Sequence, residues 1–343
     1  MTSDTMPAVL VRDEGPRGAW NGLVIGRAPR PEVRSGEGLV QVEACSVNRA
    51  DLLQRRGLYP PPPGASTLLG LDFAGFLVGV SPEVERWHVG DRVFGIVPGG
   101  GYARYLTLPT DQLLPIPSNL SFVEAAAAAE VFIAAYLNLF TEAGLSPAET
   151  VLIHGGGSGV GTAAIQLARA GEAVPLVTAG TDEKVRRCVE LGARLGVNYR
   201  TEDFEDRVMR FTGGHGVDVV LDWIGGPYLE KHLRLLKDKG RLVMMGLMGG
   251  SRSEIPLDLV LTKRLRIIGS VLRSRSDEER AAIVRDFGER VLPWLREGTV
   301  RPVVHRIFPM SQVEEAHRLL KESTHFGKVV LVWDALSKSG ERG

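Results

Sequence analysis

The segment TVLIHGGGSGVGTAAIQLARAG, residues 150–171, constrains this chain more than any other. An apolar strand pattern from Thr150 to His154 runs into the glycines between Gly155 and Gly161, and a helical pattern follows as far as Gly171. Glycines in that setting turn tightly, let a ligand approach the backbone, and let the helix pack on the strand. The first amides of the helix have no partner inside it and carry partial positive charge, which suits a pyrophosphate. Ser158, Gly159 and Val160 are the candidate contacts. A lone glycine pattern is as well explained by a plain turn, but here strand and helix patterns go on alternating. Strands are expected from Ala173 to Thr178, Val197 to Tyr199, Val217 to Asp222, Gly240 to Met244 and Arg266 to Val271, with helices notably from Val160 to Ala170 and Asp182 to Leu191. That rhythm is the mark of an α/β fold with a doubly wound parallel sheet, which binds dinucleotides at one end of its strands.

A site for NAD holds an acidic residue at the end of the second strand, about 20 residues past the glycines, where it accepts from the ribose hydroxyls. In this chain AVPLVT ends at Thr178 and runs into Ala179 and Gly180, with no carboxylate at its tip. A phosphate on the ribose is not repelled there, and Lys184, one helical turn on, is placed to reach it. The expected cofactor is therefore NADPH rather than NADH. Asp182 and Glu183 do not oppose this, because acids in the first turn after a Thr181 cap are what the helix dipole favours. Lys184 also fits an ordinary solvated lysine.

Residues 38–108 have another rhythm. LVQVEACSV, DFAGFLVGV, DRVFGIV and YARYLTL are short apolar segments broken by glycine and proline, the pattern of a compact β domain. Phe122 to Phe140 is nearly long enough to span a bilayer, but Glu124, Glu130 and Asn138 interrupt it, and Ser121 with Glu124 makes a capping box, so a buried helix is expected. Two more boxes, Ser276 with Glu279 and Ser311 with Glu314, open amphipathic helices before the strand KVVLVW, and these closing elements are expected to fold back onto the β domain. Pro7 to Val11 reads as a first strand and Ser337 to Gly343 as a frayed tail.

Charge and cysteine content narrow the functions. Lys plus Arg and Asp plus Glu balance at 41 each, so no global positive field gathers nucleic acid or an anionic membrane. Cys45 and Cys188 are too few for a disulfide framework and lack the spacing of a structural zinc site. The N-terminal segment has no apolar run of signal-peptide length, so a cytoplasmic protein is expected. No metal is expected either, because none of the seven histidines sits in a ligand-like pair, and His88, His154 and His215 read as loop or strand-end residues.

NRADLLQRRGLYPPPPGAS, LGLDFAG, VGDRVFG and GYARY, together with the glycine run, resemble the zinc-independent quinone oxidoreductases of the medium-chain dehydrogenase/reductase superfamily, over roughly Met6 to Trp333. LIHGGGSGVGTAAIQLAR, PLVTAG, LLGLDFAG, GLMGG and VLRSR look closest to the branch containing the tumour-suppressor-induced quinone oxidoreductase. The resemblance implies a discontinuous GroES-like β-rich catalytic domain, residues 1–131 and 275–343, and a Rossmann domain, residues 132–274. Where the zinc alcohol dehydrogenases of the superfamily have a cysteine ligand followed closely by aspartate, this chain has Asn48 and then Asp51. Where they have histidine and glutamate after glycine, it has Leu71 and Asp72, and their lobe of structural-zinc cysteines is missing between Gly95 and Gly101. Without that Lewis acid the chemistry must suit acceptors that take hydride readily, as quinones do.

Hydride transfer from NADPH to a quinone or activated alkene, in a cleft between the domains near Asn48 and the loop around Tyr59, is what the resemblance implies. It puts Thr178, Gly180, Lys184 and Tyr199 around the adenosine phosphate and Ile224, Gly246, Leu272 and Ser274 along the rest of the cofactor, with Lys328 beside the last strand as a further candidate. Asn48 would orient nicotinamide or substrate through its amide, or be a turn residue. Tyr59 would bond the substrate oxygen, or be a loop aromatic stiffened by Pro60 to Pro63. Arg273 and Arg275 would touch phosphate or salt-bridge across the domain interface, and the edge strand LRIIGSVL invites a homodimer. Two other functions stay open: reduction of α,β-unsaturated carbonyls, enoyl thioesters included, and a non-catalytic role as an NADPH-binding sensor or RNA-binding crystallin-like protein, against which the zero net charge counts.

Overall fold

A computed structural model describes residues 4–12 and 15–333, so the tail expected from Ser337 to Gly343 lies outside the described residues. The chain runs through β1 (Thr5–Val11), β2 (Leu23–Pro29), β3 (Glu37–Ser46), α1 (Arg49–Gln54), β4 (Asp72–Val80), β5 (Arg92–Ile96), β6 (Tyr105–Pro109) and β7 (Leu114–Pro115) into the long helix α2 (Phe122–Tyr136). Alternation follows: β8 (Thr150–Ile153), α3 (Gly159–Ala170), β9 (Val174–Ala179), α4 (Asp182–Leu191), β10 (Leu195–Asn198), α5 (Phe204–Phe211), β11 (Val217–Asp222), α6 (Gly226–Leu235), β12 (Leu236–Met244), α7 (Leu257–Thr262) and β13 (Arg266–Gly269). The chain closes on α8 (Asp277–Glu297), β14 (Val304–Pro309), α9 (Val313–Glu322) and β15 (Lys328–Val332). It divides into two compact units, the first made of Met1–Glu130, Arg273–Arg296 and Pro302–Gly343, the second of Val131–Leu272 and Glu297–Arg301.

In the first unit the strands lie in the order β14-β15-β3-β4-β5-β7, with β6 also on β3, and β1 and β2 form a separate antiparallel pair. The long β3 organises the sheet: its early residues pair with β4 and β6, and Ala44–Ser46 pair with the returning β15. That register brings Lys328 to the strand end at Val47 and Asn48. Val40 and Val42 of β3 are fully buried with Phe73, Leu77 and Phe94, and burying side chains of this size contributes roughly 1.5–3 kcal/mol each.

The second unit is a six-stranded sheet in the order β10-β9-β8-β11-β12-β13, parallel throughout. Its central strands β9, β8 and β11 are buried on both faces, hence the unbroken apolar runs such as Val151–Ile153. From β8 the chain builds outward on one side, then returns to build from β11 on the other. The loops after β8 and β11 therefore diverge, and such a switch point is where open α/β sheets bind ligands. The six strands expected from sequence are all present. β12 starts earlier than expected, because Leu236 already pairs with Val217 before an irregularity in register.

Two of the three capping boxes form. Ser121 and Glu124 exchange bonds at the start of α2, and Ser276 and Glu279 do so before α8. The box expected at Ser311 and Glu314 does not: Ser311 lies in a short 3-10 turn, and the Glu314 carboxylate instead accepts from Arg55 Nη2 and Leu23 N, both at 2.6 Å. The Arg55 guanidinium is fully buried, and its need for a counter-ion outweighs the local cap. Residues 122–142 form the one described helix long and apolar enough to cross a membrane, yet most of it is buried within the fold.

Candidate functional site

The glycine turn is built for close approach. Gly155 leaves β8 at φ +53°, and a Cβ on Gly161 would lie 2.5 Å from the Gly155 carbonyl oxygen and 2.7 Å from Gly156 Cα. Ser158 caps α3, its Oγ accepting from Gly161 N at 3.0 Å. Among the described residues the amides of Gly159 and Val160 donate to no acceptor. A helix N-terminus with two open amides above a side-chain-free turn fits the pyrophosphate of a dinucleotide.

Behind this turn lies a buried polar chain. Thr178 is turned inward, its Oγ1 2.9 Å from His154 Nδ1 and accepting from Gly155 N at 3.4 Å, so it braces the turn from below. His154 Nε2 is 2.8 Å from His232 Nε2, and His232 Nδ1 is 3.9 Å from Asp222 Oδ2. Asp222 accepts from the amides of Ile224 and Gly225, at 2.8 and 2.9 Å. Reading His154 as a plain strand-end residue missed this partner: the two histidines are 78 residues apart in sequence and meet where α6 brings His232 to the end of β8. His154, Asp222 and His232 are metal-ligating types, but the contact is a hydrogen bond, since nitrogens on one tetrahedral zinc stand roughly 3.3 Å apart. Burial holds both imidazoles neutral, His154 well below its usual value and His232 at about 3, and pushes Asp222 up to about 6.

Farther along the strand ends, a Cβ on Gly180 would lie 2.8 Å from the Tyr199 hydroxyl and 3.5 Å from Arg200 Nε, so the exposed Tyr199 and Arg200 lie across this glycine. Lys184 stands in the first turn of α4, whose amide Thr181 caps at 3.2 Å, and burial lowers the Lys184 ammonium pKa. Arg200 and Arg187 share its electrostatic surroundings with Glu183. Asp182 is spoken for, accepting from Asn198 Nδ2 at 2.7 Å. Sequence reading missed Arg187 and Arg200. The signal for Arg200 was there, a cation directly after Tyr199 at the end of a strand.

Ile224 and Gly246 follow the next two strand ends, Gly246 lying against Trp223. The sheet therefore brings Ser158, Gly159, Val160, Gly180, Lys184, Tyr199, Ile224 and Gly246 to one end. Leu272 is partly buried and Ser274 exposed on the segment that leaves it.

The first unit holds a different arrangement. Asn48 caps α1 and is 7% exposed, with its amide committed inward: Nδ2 donates to Asp72 Oδ2 at 2.8 Å and Ser46 O at 3.2 Å, and Oδ1 accepts from Lys328 Nζ at 2.6 Å. Lys328 also donates to Val47 O. Asp72 accepts from the amide and hydroxyl of Ser46. Asp51 accepts from the amides of Asn48 and Gly70 and from the Tyr102 hydroxyl, which also contacts His317 Nε2 at 3.1 Å. Burial raises the carboxyls of Asp51, to about 6, and Asp72, with the backbone bonds to Asp51 and the Lys328 charge beside Asp72 opposing. Sequence reading named Asn48 and Lys328 but not that they touch.

Tyr59 is held by Arg273. The guanidinium donates to Tyr59 O, Pro98 O and Gln54 Oε1 and lies 5.0 Å from the centre of the Tyr59 ring. Arg275 has another task, 3.8 Å from Glu279. The expected basic pair is therefore split, with Arg273 a buried clamp on the proline-rich loop.

Two family models match the chain, an alcohol dehydrogenase GroES-like domain over residues 34–118 and a zinc-binding dehydrogenase domain over residues 159–286. A quinone oxidoreductase of Lama guanicoe is 34% identical over 296 residues, 86% of this chain and 88% of the relative. The chain belongs to the zinc-independent quinone oxidoreductases of the medium-chain dehydrogenase/reductase superfamily. Its first unit is the GroES-like domain and its second the Rossmann-type domain. The quinone oxidoreductase of Pseudomonas syringae pv. Tomato DC3000 matches at TM-score 0.84 and 25% identity, covering 95% of this chain and 99% of that one. The CurK enoyl reductase also matches at 0.84, with 27% identity over 97% of this chain and 100% of that one. This oxidoreductase therefore works with a nicotinamide cofactor on small molecules.

A zinc ion does not fit the Asn48 cluster. Leu71 offers no ligand, burial keeps the Cys45 thiol protonated, and the Lys328 ammonium 2.6 Å from Asn48 Oδ1 already supplies the positive charge.

Proposed function

We propose that this oxidoreductase reduces quinones with NADPH. The observation that carries the cofactor choice is the rim at Gly180: Tyr199 and Arg200 lie across it, Lys184 stands in the first turn of the next helix with Arg200, Arg187 and Glu183 in its electrostatic surroundings, and Asp182 is bonded to Asn198. A ribose phosphate would find charge-assisted donors in that rim, which a bare ribose does not need. When bound, NADPH supplies a hydride. The chain contributes position: the amides of Gly159 and Val160 anchor the pyrophosphate, and Arg273 fixes the loop that carries the Tyr59 phenol. Among the described residues the cluster at Asn48 and Leu71 offers no zinc ligand set to polarise a simple ketone, which favours acceptors with low-lying empty orbitals such as quinones.

A second reading, reduction of alkenes conjugated to a carbonyl, is supported by the similarity to the CurK enoyl reductase. Mixing the protein with NADPH and, separately, an ortho-quinone, an enal and an enoyl thioester, while following nicotinamide absorbance, separates the two. Turnover fastest with the quinone is expected. Turnover only with the enal or thioester favours the second reading, and NADPH binding with no turnover leaves a sensor.

The edge strand β13 supports a homodimer, since Ile267 and Val271 are exposed on it or just beyond it and Leu257 and Leu261 of α7 are 70% and 78% exposed. A monomer mass in light scattering would contradict that.

A further inference from the structure

We propose that Trp223 binds the nicotinamide cofactor: its indole walls the crevice at the glycine turn, and its Nε1–H is a donor that the bound dinucleotide takes up there. This role does not depend on which acceptor is reduced, and it is the same for NADPH and NADH.

Trp223 directly follows β11 at the switch point, where the loops after β8 and β11 diverge and open α/β sheets bind their ligands. Its side chain crosses that gap. A Cβ on Gly246 would lie 3.2 Å from Trp223 Cβ, and a Cβ on Gly155 would lie 3.0 Å from Nε1 and 3.1 Å from Cζ2 of the indole. The residue therefore starts beside the end of β12 and its ring ends against the first residue of the glycine turn. Both neighbours are glycines, and a side chain on either would crowd it. The backbone beneath is fixed, because the Asp222 carboxylate accepts from the amides of Ile224 and Gly225, at 2.8 and 2.9 Å, and Trp223 O accepts from Met248 N at 3.0 Å. A ring held this way loses little conformational freedom when a ligand meets it.

Two properties of the ring point to a ligand. It is a large aromatic side chain left partly exposed in the crevice. Its N–H, which can only donate, has no partner among the described residues. Packing on the turn accounts for the ring but not for the donor, which faces solvent in the free protein. The amides of Gly159 and Val160 at the same turn are open too. Three open donors at one turn suit the oxygens of a pyrophosphate and of the riboses that flank it.

The test follows tryptophan emission while NADP+ and, separately, NAD+ are titrated into the parent, Trp223→Phe and Trp223→Leu. Trp223 is one of five tryptophans, and the other four, Trp20, Trp87, Trp294 and Trp333, belong to the first unit, so the difference between the parent and Trp223→Phe isolates its signal. Nucleotide is expected to change that emission in the parent and to shield it from quenching by acrylamide. Trp223→Phe keeps a ring against Gly155 but loses the donor, so it should melt close to the parent and bind nucleotide roughly three- to tenfold more weakly, with Trp223→Leu weaker still. Parental affinity in Trp223→Phe, or an indole as open to acrylamide with nucleotide as without it, overturns the proposal. A loss of affinity matched by an equal loss of thermal stability would assign Trp223 to propping the turn and overturns its role as a donor. A parent that binds neither nucleotide overturns the cofactor assignment and this role with it.

Discussion

The GroES-like unit makes its polar centre from side chains that are far apart in the chain, Lys328 against Asn48 and Asp72, whereas the Rossmann unit makes its binding end from the backbone of one short segment, Gly155 to Val160. The first arrangement depends on every partner being present, because each donor it buries has lost its water. The second depends on atoms being absent, because a single Cβ at Gly161 would press on the Gly155 carbonyl oxygen and on Gly156 and so push the turn open. Loss of a side chain should therefore hurt the first unit most, and gain of one should hurt the second.

Asp51→Ala is the strongest way to break this contrast. It would strand the amides of Asn48 and Gly70 and the Tyr102 hydroxyl, for a loss of about 3–5 kcal/mol in denaturant unfolding. A loss no larger than that of a surface substitution would show that the cluster does not hold the unit together. Gly161→Ala tests the other side. The added methyl meets the Gly155 carbonyl oxygen at 2.5 Å, and accommodating it should cost roughly 1–3 kcal/mol and weaken nicotinamide-cofactor binding, read by titration. Parental affinity would mean the turn is not the cradle.

Acid sharpens the comparison further. Among the described residues of the GroES-like unit three buried carboxyls are raised, Asp51 to about 6, Glu130 to about 7, and Asp72, while His317 is lowered to about 3 and the more exposed Glu83, Asp277 and Glu278 are lowered too. The stabilisation from the raised carboxyls is complete below the unfolded carboxyl range and lost as pH rises through 6 to 7. In the Rossmann unit two lowered histidines, His154 and His232, oppose one raised acid, Asp222. Their stabilisation is complete above the unfolded histidine value and lost as pH falls, by about 2 kcal/mol for His232 between pH 6.5 and 5. Amide hydrogen exchange at pH 5 and 7.5, corrected for intrinsic rates, should show the Rossmann strands losing protection on acidification while the GroES-like strands hold or gain it. The same change in both units would contradict the assignment, and His232→Asn should reduce the Rossmann loss.

The difference between the units also explains what could be read from sequence. The Rossmann strands were legible because buried parallel strands are continuous apolar runs, and the glycine turn because its parts are covalent neighbours. The pairing of His154 with His232 was not, since it depends on where α6 packs against the sheet, whereas the signal for Arg200 was present beside Tyr199 and went unused. Asn48 and Lys328 were each visible, but 280 residues separate them, and only the return of β15 onto β3 joins them. Ser311 and Glu314 show the opposite failure, where a local motif gives way to the buried charge of Arg55.

Titration of NADPH and NADH into the parent, Lys184→Ala and Arg200→Ala is the most direct test of the account, because the Gly180 rim has to read the ribose phosphate if NADPH is the cofactor. The expected result is NADPH bound at least about tenfold tighter than NADH by the parent, with each substitution weakening NADPH by several-fold and leaving NADH unchanged. Equal affinities for both cofactors in all three proteins would contradict it.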